Sequence, residues 1–262
     1  MTEDLHRALK TEIVARQSVG NAHFMLVKLQ HGKDNFTYSL HAESSTLFTS
    51  GPKETDFFVW LGFEYGPCNF VSGQRCFVKA ISSSFDLGSF CATFASAFAD
   101  IAAAQNHLGA CGYDLPSAER QHRRRSRQGY YGDGHHALDN PNKMKNTSDD
   151  MFEYVFTFQT TPEGKGWTIH CRPKVSVSEE LRHALAVIDV KEFSECPQFD
   201  FEPCFWSFIN YTGGGYDRFS DGNADEAHRY FDAHAPQFSQ GIQGLMNANA
   251  KMKEFGMGFL RA

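Results

Sequence analysis

Five arginines stand within eight residues of one another: Arg120, Arg123, Arg124, Arg125 and Arg127. On a helix, Arg120, Arg123, Arg124 and Arg127 share one face, a comb of planar guanidinium groups matched to a phosphate backbone. Tyr130 and Tyr131 follow directly, and their rings suit stacking on exposed bases, as the guanidinium planes do. A solvated loop with incidental charge is the competing account of these residues. His135 and His136 come next. Adjacent imidazoles beside arginines suit general acid–base cleavage of RNA, one group taking the 2′-OH proton while another stabilises the phosphorane. Paired histidines on a polar loop also occur as plain surface.

Other clusters point less sharply. Asp217, Asp221, Asp225, His228 and His234 gather acids and imidazoles, but their spacing fits neither an EF-hand loop nor H-E-x-x-H. A polar loop running into a helix explains them equally well, and no metal is expected. Gly213, Gly214 and Gly215 lack both a Walker lysine and a G-x-G-x-x-G frame, so no nucleotide cofactor is expected. The seven cysteines form no C-x-x-C pair, which predicts reduced, mostly buried thiols in a cytoplasmic compartment. With seven Cys and 12 His, a cysteine nucleophile paired with a distant histidine is open to the chain, and nothing in the sequence singles out one pair.

The C-terminus carries a second basic feature. Lys251 and Lys253 lead from an amphipathic helix into Gly256 and Gly258, followed by Phe259 and Leu260. Glycines there would let main chain approach phosphates closely, with N–H groups as donors and the lysines as charge. A helix cap followed by an edge strand is the plainer account. Lys253, Gly256, Gly258, Phe259 and Leu260 together resemble the K-x-x-G-x-G loop that follows the last helix in the repeat-processing endoribonucleases of CRISPR systems, members of the RAMP superfamily. The resemblance covers the last helix and this loop. It implies an RNA partner (a structured repeat or guide RNA), neighbouring protein subunits in a ribonucleoprotein, and, if the chain cleaves, metal-independent transesterification by the 2′-OH. Two features depart from that family's pattern: the chain is expected to open with a helix rather than a strand, and no motif selects an early catalytic histidine among His23, His31 and His41. A noncatalytic subunit that grips RNA, or a structural subunit that docks protein, fits the same residues.

The elements that would position these groups follow from periodicity. Leu5, Leu9 and Ile13 predict a first helix over residues 3–16. Residues 23–29, the alternating Phe36, Tyr38 and Leu40, the alternating run from Phe57 to Tyr65, and residues 76–81 read as strands. A helix should start near Asp86, with Phe90, Phe94, Phe98 and Ile101 on one stripe and Gly109 or Gly112 as its stop. The apolar stretch 87–99 is too short to span a bilayer and is bracketed by Asp86 and Asp100, so it is expected to be a buried helix, with no membrane partner. Residues 152–158 and 167–172 read as a β-hairpin. Ser176 and Glu179 form a capping box for a helix carrying Leu181, Ala184, Leu185 and Ile188, and residues 205–209 are a further strand. Phe238, Ile242, Leu245 and Met246 mark the last helix.

The chain of 262 residues, 41% hydrophobic and with 25 phenylalanines, is long enough to bury a large aromatic core. Its N-terminus has no apolar h-region, so no signal peptide is expected. A net charge of −6 argues against a generic nucleic-acid binder and confines any RNA role to local basic patches. The expected fold class is α+β, antiparallel sheets with packed helices, ferredoxin-like (RRM-like) in the second half. Residues 1–115 form an N-terminal α+β region and 151–262 a C-terminal one with the glycine-rich loop. Between them, residues 116–150 carry almost no large aliphatic side chains and read as an Arg/Gly/His-rich insertion or linker.

Overall fold

The computed structural model describes residues 10–44, 53–66, 76–111, 113–115, 147–148, 152–161, 164–173, 180–181, 183–184, 189–190, 204–205 and 224–260. The fold is an α+β mixture that divides into two units. The first comprises residues 1–102 with 247–259, and the second residues 103–246 with 260–262.

In the first unit, β1 (Lys10–Val19), β2 (Ala22–Gln30), β3 (Phe36–Ser44), β4 (Glu64–Gly66) and β5 (Cys76–Ile81) form one antiparallel sheet in the order β1-β2-β3-β5-β4. The expected strands 23–29, 36–41 and 76–81 are all present. The expected first helix is not: its described part, from Lys10 onward, is β1. The four-residue spacing of apolar side chains is overridden by a hairpin. Val19 pairs with Ala22 across a two-residue loop, and Gly20 takes φ +57° there, the positive value that tight hairpin loops require. Val14 is an extra residue at a bulge between Ile13 and Ala15, and it is exposed.

The alternating run from Phe57 is also not a strand over most of its length. Residues Glu54–Trp60 form a helix, α1, and only Glu64–Gly66 are β-structure. In the helix and at its C-cap, Glu54, Phe57, Phe58 and Leu61 are the buried positions, and their spacing is helical, so the two-residue alternation was coincidental. Lys79 stops the helix: its ammonium donates to the Leu61 and Gly62 carbonyls at 2.8 and 3.3 Å. Burial lowers the Lys79 pKa, and Glu64 opposes that shift. Gly62, at φ +78°, completes the turn.

Helix α2 (Leu87–Ala110) starts as expected. Asp86 Oδ1 accepts hydrogen bonds from the Gly88 and Ser89 N–H groups at 2.9 and 3.1 Å, satisfying two of the donors that a helix start leaves open. The helix is longer than the stretch 87–99, so the expectation of a segment too short for a bilayer is corrected: by length and composition it is long and apolar enough to cross a membrane. Its Phe90, Phe94, Ala97 and Ile101 are buried in the fold. Phe24 from β2 meets Phe58, Phe90 and Phe94 edge-on, with ring centroids 5.6, 5.2 and 4.9 Å apart. Each such pair contributes about 0.5–1.5 kcal/mol beyond area burial. Leu26, Leu40, Ala42 and Phe77 complete this core.

The second unit contains a two-stranded sheet, β6 (Tyr113–Asp114) with β10 (Asp189–Val190), and a four-stranded antiparallel sheet in the order β11-β9-β8-β7. Its centre is the expected hairpin, β8 (Phe152–Thr161) and β9 (Gly164–Pro173), flanked by β7 (Thr147–Ser148) and β11 (Cys204–Phe205). Leu181 and Ala184 of the expected capping-box helix are helical and buried; Ser176, Glu179, Leu185 and Ile188 lie outside the described residues, as do 206–209 of the expected strand. The last helix, α3 (Ala224–Lys253), buries Phe238, Ile242 and Leu245. A Cβ on Gly241 would come within 2.6 Å of Leu108 Cγ, so glycine lets α3 lie close against the end of α2.

Candidate functional site

Two groups of residues among those described carry candidate chemistry. The first lies on the sheet face turned away from the phenylalanine core. Alternation along β3 puts Leu40 and Ala42 on the core face and Ser39, His41 and Glu43 on the other. β5 pairs with β3 so that Val78 stands opposite His41, and Cys76, two residues before Val78, shares that face. Cys76 Sγ lies 3.5 Å from His41 Nδ1, and His41 Nε2 lies 3.0 Å from Ser39 Oγ. When Nδ1 accepts the thiol hydrogen, the ring hydrogen sits on Nε2 and is donated to Ser39 Oγ. Cys76 is 3% exposed and His41 8%.

Burial lowers the His41 pKa from its ordinary value of 6.5, because the imidazolium loses hydration there. The ring is therefore neutral at neutral pH. A thiol, a neutral imidazole within reach and a hydroxyl on the far nitrogen make up the arrangement of a base-assisted nucleophile. Sequence reasoning left the cysteine–histidine pairing open. The missing information was strand order: β3 pairs with β5 across the intervening α1 and β4, and that choice alone brings residues 41 and 76 together. The available signal was the alternation of Thr37, Ser39, His41 and Glu43 with Phe36, Tyr38, Leu40 and Ala42 along one strand.

The second group is the C-terminal loop. Lys251 Nζ lies 2.6 Å from Asp100 Oδ2 and donates to Ser96 Oγ at 2.8 Å, so its charge is engaged within the first unit. Gly256 takes φ +67°, and the Met257 N–H returns to the Met252 carbonyl at 3.0 Å; this is a left-handed glycine closing α3. A Cβ on Gly256 would meet nothing within 4 Å, whereas one on Gly258 would lie 2.6 Å from Lys253 Cγ. The Lys253 stem thus passes across Gly258. The strand expected after Gly258 is not formed. Instead the Phe259 N–H donates to the side chain of buried Asn249 at 2.7 Å, and the Phe259 ring packs against Phe57 and Trp60.

The other expected site residues are not positioned. Arg120, Arg123, Arg124, Arg125, Arg127, Tyr130, Tyr131, His135 and His136 lie outside the described residues, as do Asp217, Asp221 and the side chains of Asp225 and His228. In the second unit, the carbonyl of His234 accepts a hydrogen bond from Cys111 Sγ at 3.2 Å. No group of three or more His, Cys, Asp or Glu side chains among the described residues converges to hold a metal ion. No family model, curated protein or solved structure matches the chain.

Proposed function

We propose that this chain binds RNA as a cytoplasmic subunit of a CRISPR-type ribonucleoprotein, gripping phosphates with Arg120, Arg123, Arg124, Arg125 and Arg127 and stacking bases on Tyr130 and Tyr131. The single observation that carries this reading is the density of arginine next to tyrosine in a segment with almost no core-forming side chains. A chain of net charge −6 gains little from long-range attraction to RNA, so a local cluster must supply the phosphate contacts. At the C-terminus the reading adds Lys253, whose stem crosses Gly258. Lys251 is paired with Asp100, and Gly256 and Gly258 have reasons within the fold. A ferredoxin-like second half belongs to the same proposal; βαββαβ connectivity in an experimental structure of residues 151–262 would support it, and any other connectivity would remove it. Cleavage with His135 and His136 as acid and base is the further step of this reading, and 2′,3′-cyclic phosphate ends on the products are its signature.

The test is a salt titration of RNA binding. Replacing Arg123, Arg124 and Arg127 together by alanine should weaken binding and reduce the slope of log affinity against log salt by about 2, since each lost phosphate contact on a single strand removes about 0.7. An unchanged slope overturns the proposal. A second reading, a noncatalytic subunit that docks protein, is favoured by the engagement of Lys251 with Asp100 and Ser96. It predicts no RNA affinity that responds to salt at all.

A further inference from the structure

Three described cysteines are free thiols, all buried: Cys76, Cys91 and Cys111. One of them has an imidazole beside the sulfur. Burial pushes the Cys91 thiol up to about 11 and the Cys111 thiol up to about 12. Cys111 donates its proton to the His234 carbonyl, an oxygen that can accept a hydrogen bond but cannot take the proton away. Cys76 Sγ lies 3.9 Å from the Phe77 carbonyl oxygen, but it also lies 3.5 Å from an imidazole nitrogen, His41 Nδ1, whose ring meets Ser39 Oγ through its other nitrogen. Since the thiolate and not the thiol is the nucleophile, only Cys76 among these three has a group placed to generate it.

We propose that Cys76 is an oxidation site for a small neutral peroxide, with His41 as its proton acceptor. His41 Nδ1 takes the thiol proton as the sulfur attacks one oxygen of hydrogen peroxide. The O–O bond breaks, and the departing hydroxide takes the proton from the imidazolium and leaves as water. The product is Cys76 sulfenic acid, the sulfur oxidised by two electrons and the peroxide reduced by two. Burial selects the substrate class. A residue 3% exposed excludes molecules much larger than water, and an uncharged molecule avoids the cost of stripping a charge of its hydration. Ser39 positions the ring by accepting its second hydrogen, which leaves Nδ1 with a lone pair toward Cys76. This inference is independent of the RNA reading, because neither residue belongs to the arginine segment or the C-terminal loop.

The test uses the full, reduced chain under native conditions. It is exposed to limiting hydrogen peroxide in the presence of a 1,3-dicarbonyl trap for sulfenic acid, and the cysteine peptides are followed by mass spectrometry. The Cys76 peptide should be labelled well before the Cys91 and Cys111 peptides. His41→Asn should slow the Cys76 reaction on the order of a hundredfold, the lower range of general-base assistance. Labelling of all three peptides at one rate overturns the proposal without needing any variant to fold. So does a Cys76 rate that is unchanged in His41→Asn.

Discussion

Gly256 can be tested by adding one methyl group. Its φ of +67° lies where a side chain is strained, yet the space around it is open, so Gly256→Ala isolates the conformational cost. A loss of about 1 kcal/mol is expected, the usual penalty for a non-glycine residue in the left-handed region. It would be read as a lower melting temperature with RNA affinity per folded molecule unchanged. A fall in that affinity would instead place phosphate against the loop. Gly258→Ala makes a different change, because its Cβ would displace the Lys253 stem; a loss of RNA affinity there would implicate Lys253. The two glycines of one short motif thus have separate reasons, backbone conformation at one and side-chain clearance at the other. The thiols divide in the same way. Cys76, Cys91 and Cys111 are indistinguishable as letters in a sequence, and only the atom that each sulfur faces separates them.

Among the elements, α2 carries the clearest dependence on a single exposed residue. Asp86 accepts two backbone hydrogen bonds and one from the Ser89 hydroxyl at 2.8 Å. The Ser89 bonds, first from its backbone and then from its side chain, hold the Asp86 pKa below its ordinary value of 3.8. A carboxylate depressed in the folded state stabilises the fold above its unfolded pKa, and loses that contribution as pH falls through its folded value. Asp86→Ala should therefore melt at a lower temperature than the parent at pH 7, the gap should close in acid below pH 3.8, and Asp86→Asn should recover most of the loss. A gap that is constant with pH would remove the carboxylate from the account. This helix was legible because a stripe of phenylalanines and an acidic cap agree; of the two glycines expected to stop it, Gly109 lies inside the helix and Gly112 outside the described residues. The hairpin of β8 and β9 was legible for the same reason, with turn residues between two alternating runs. In β1 and α1 local pattern and tertiary pairing disagreed. Four-residue spacing near the N-terminus was overruled by a hairpin closed at Gly20, and alternation from Phe57 onward hid a short helix terminated by Lys79, which lies 18 residues away from Leu61 in sequence. The Cys76–His41 pair was illegible for a stronger reason: it depends on which strands become neighbours, and no local spacing encodes that.

Across the whole molecule, the arginine segment is the stretch with almost no large aliphatic side chains, so binding and folding should separate. The described core draws on residues 22–63, 76–113, 181–184 and 235–260. Strand β7 sets the limit of any deletion, since Thr147 and Ser148 pair with Tyr154 and Glu153, so a replacement should end at residue 146. Exchanging residues 116–146 for a short Gly/Ser linker is expected to keep cooperative thermal unfolding, because loop length enters stability only through a slowly varying closure entropy, about 0.6 kcal/mol per doubling. The same variant should lose most RNA affinity and nearly all of its salt dependence, since the proposed phosphate contacts leave with the segment. Melting and salt titration on one preparation test the two halves of the claim separately. Loss of cooperative melting would make the segment structural. Retained melting with undiminished RNA binding would move the phosphate contacts elsewhere on the molecule, with Lys253 the next candidate. Retained melting in a chain with no RNA affinity in either form would leave the protein-docking reading, in which an aromatic surface meets the partner and the arginine segment serves as a tether.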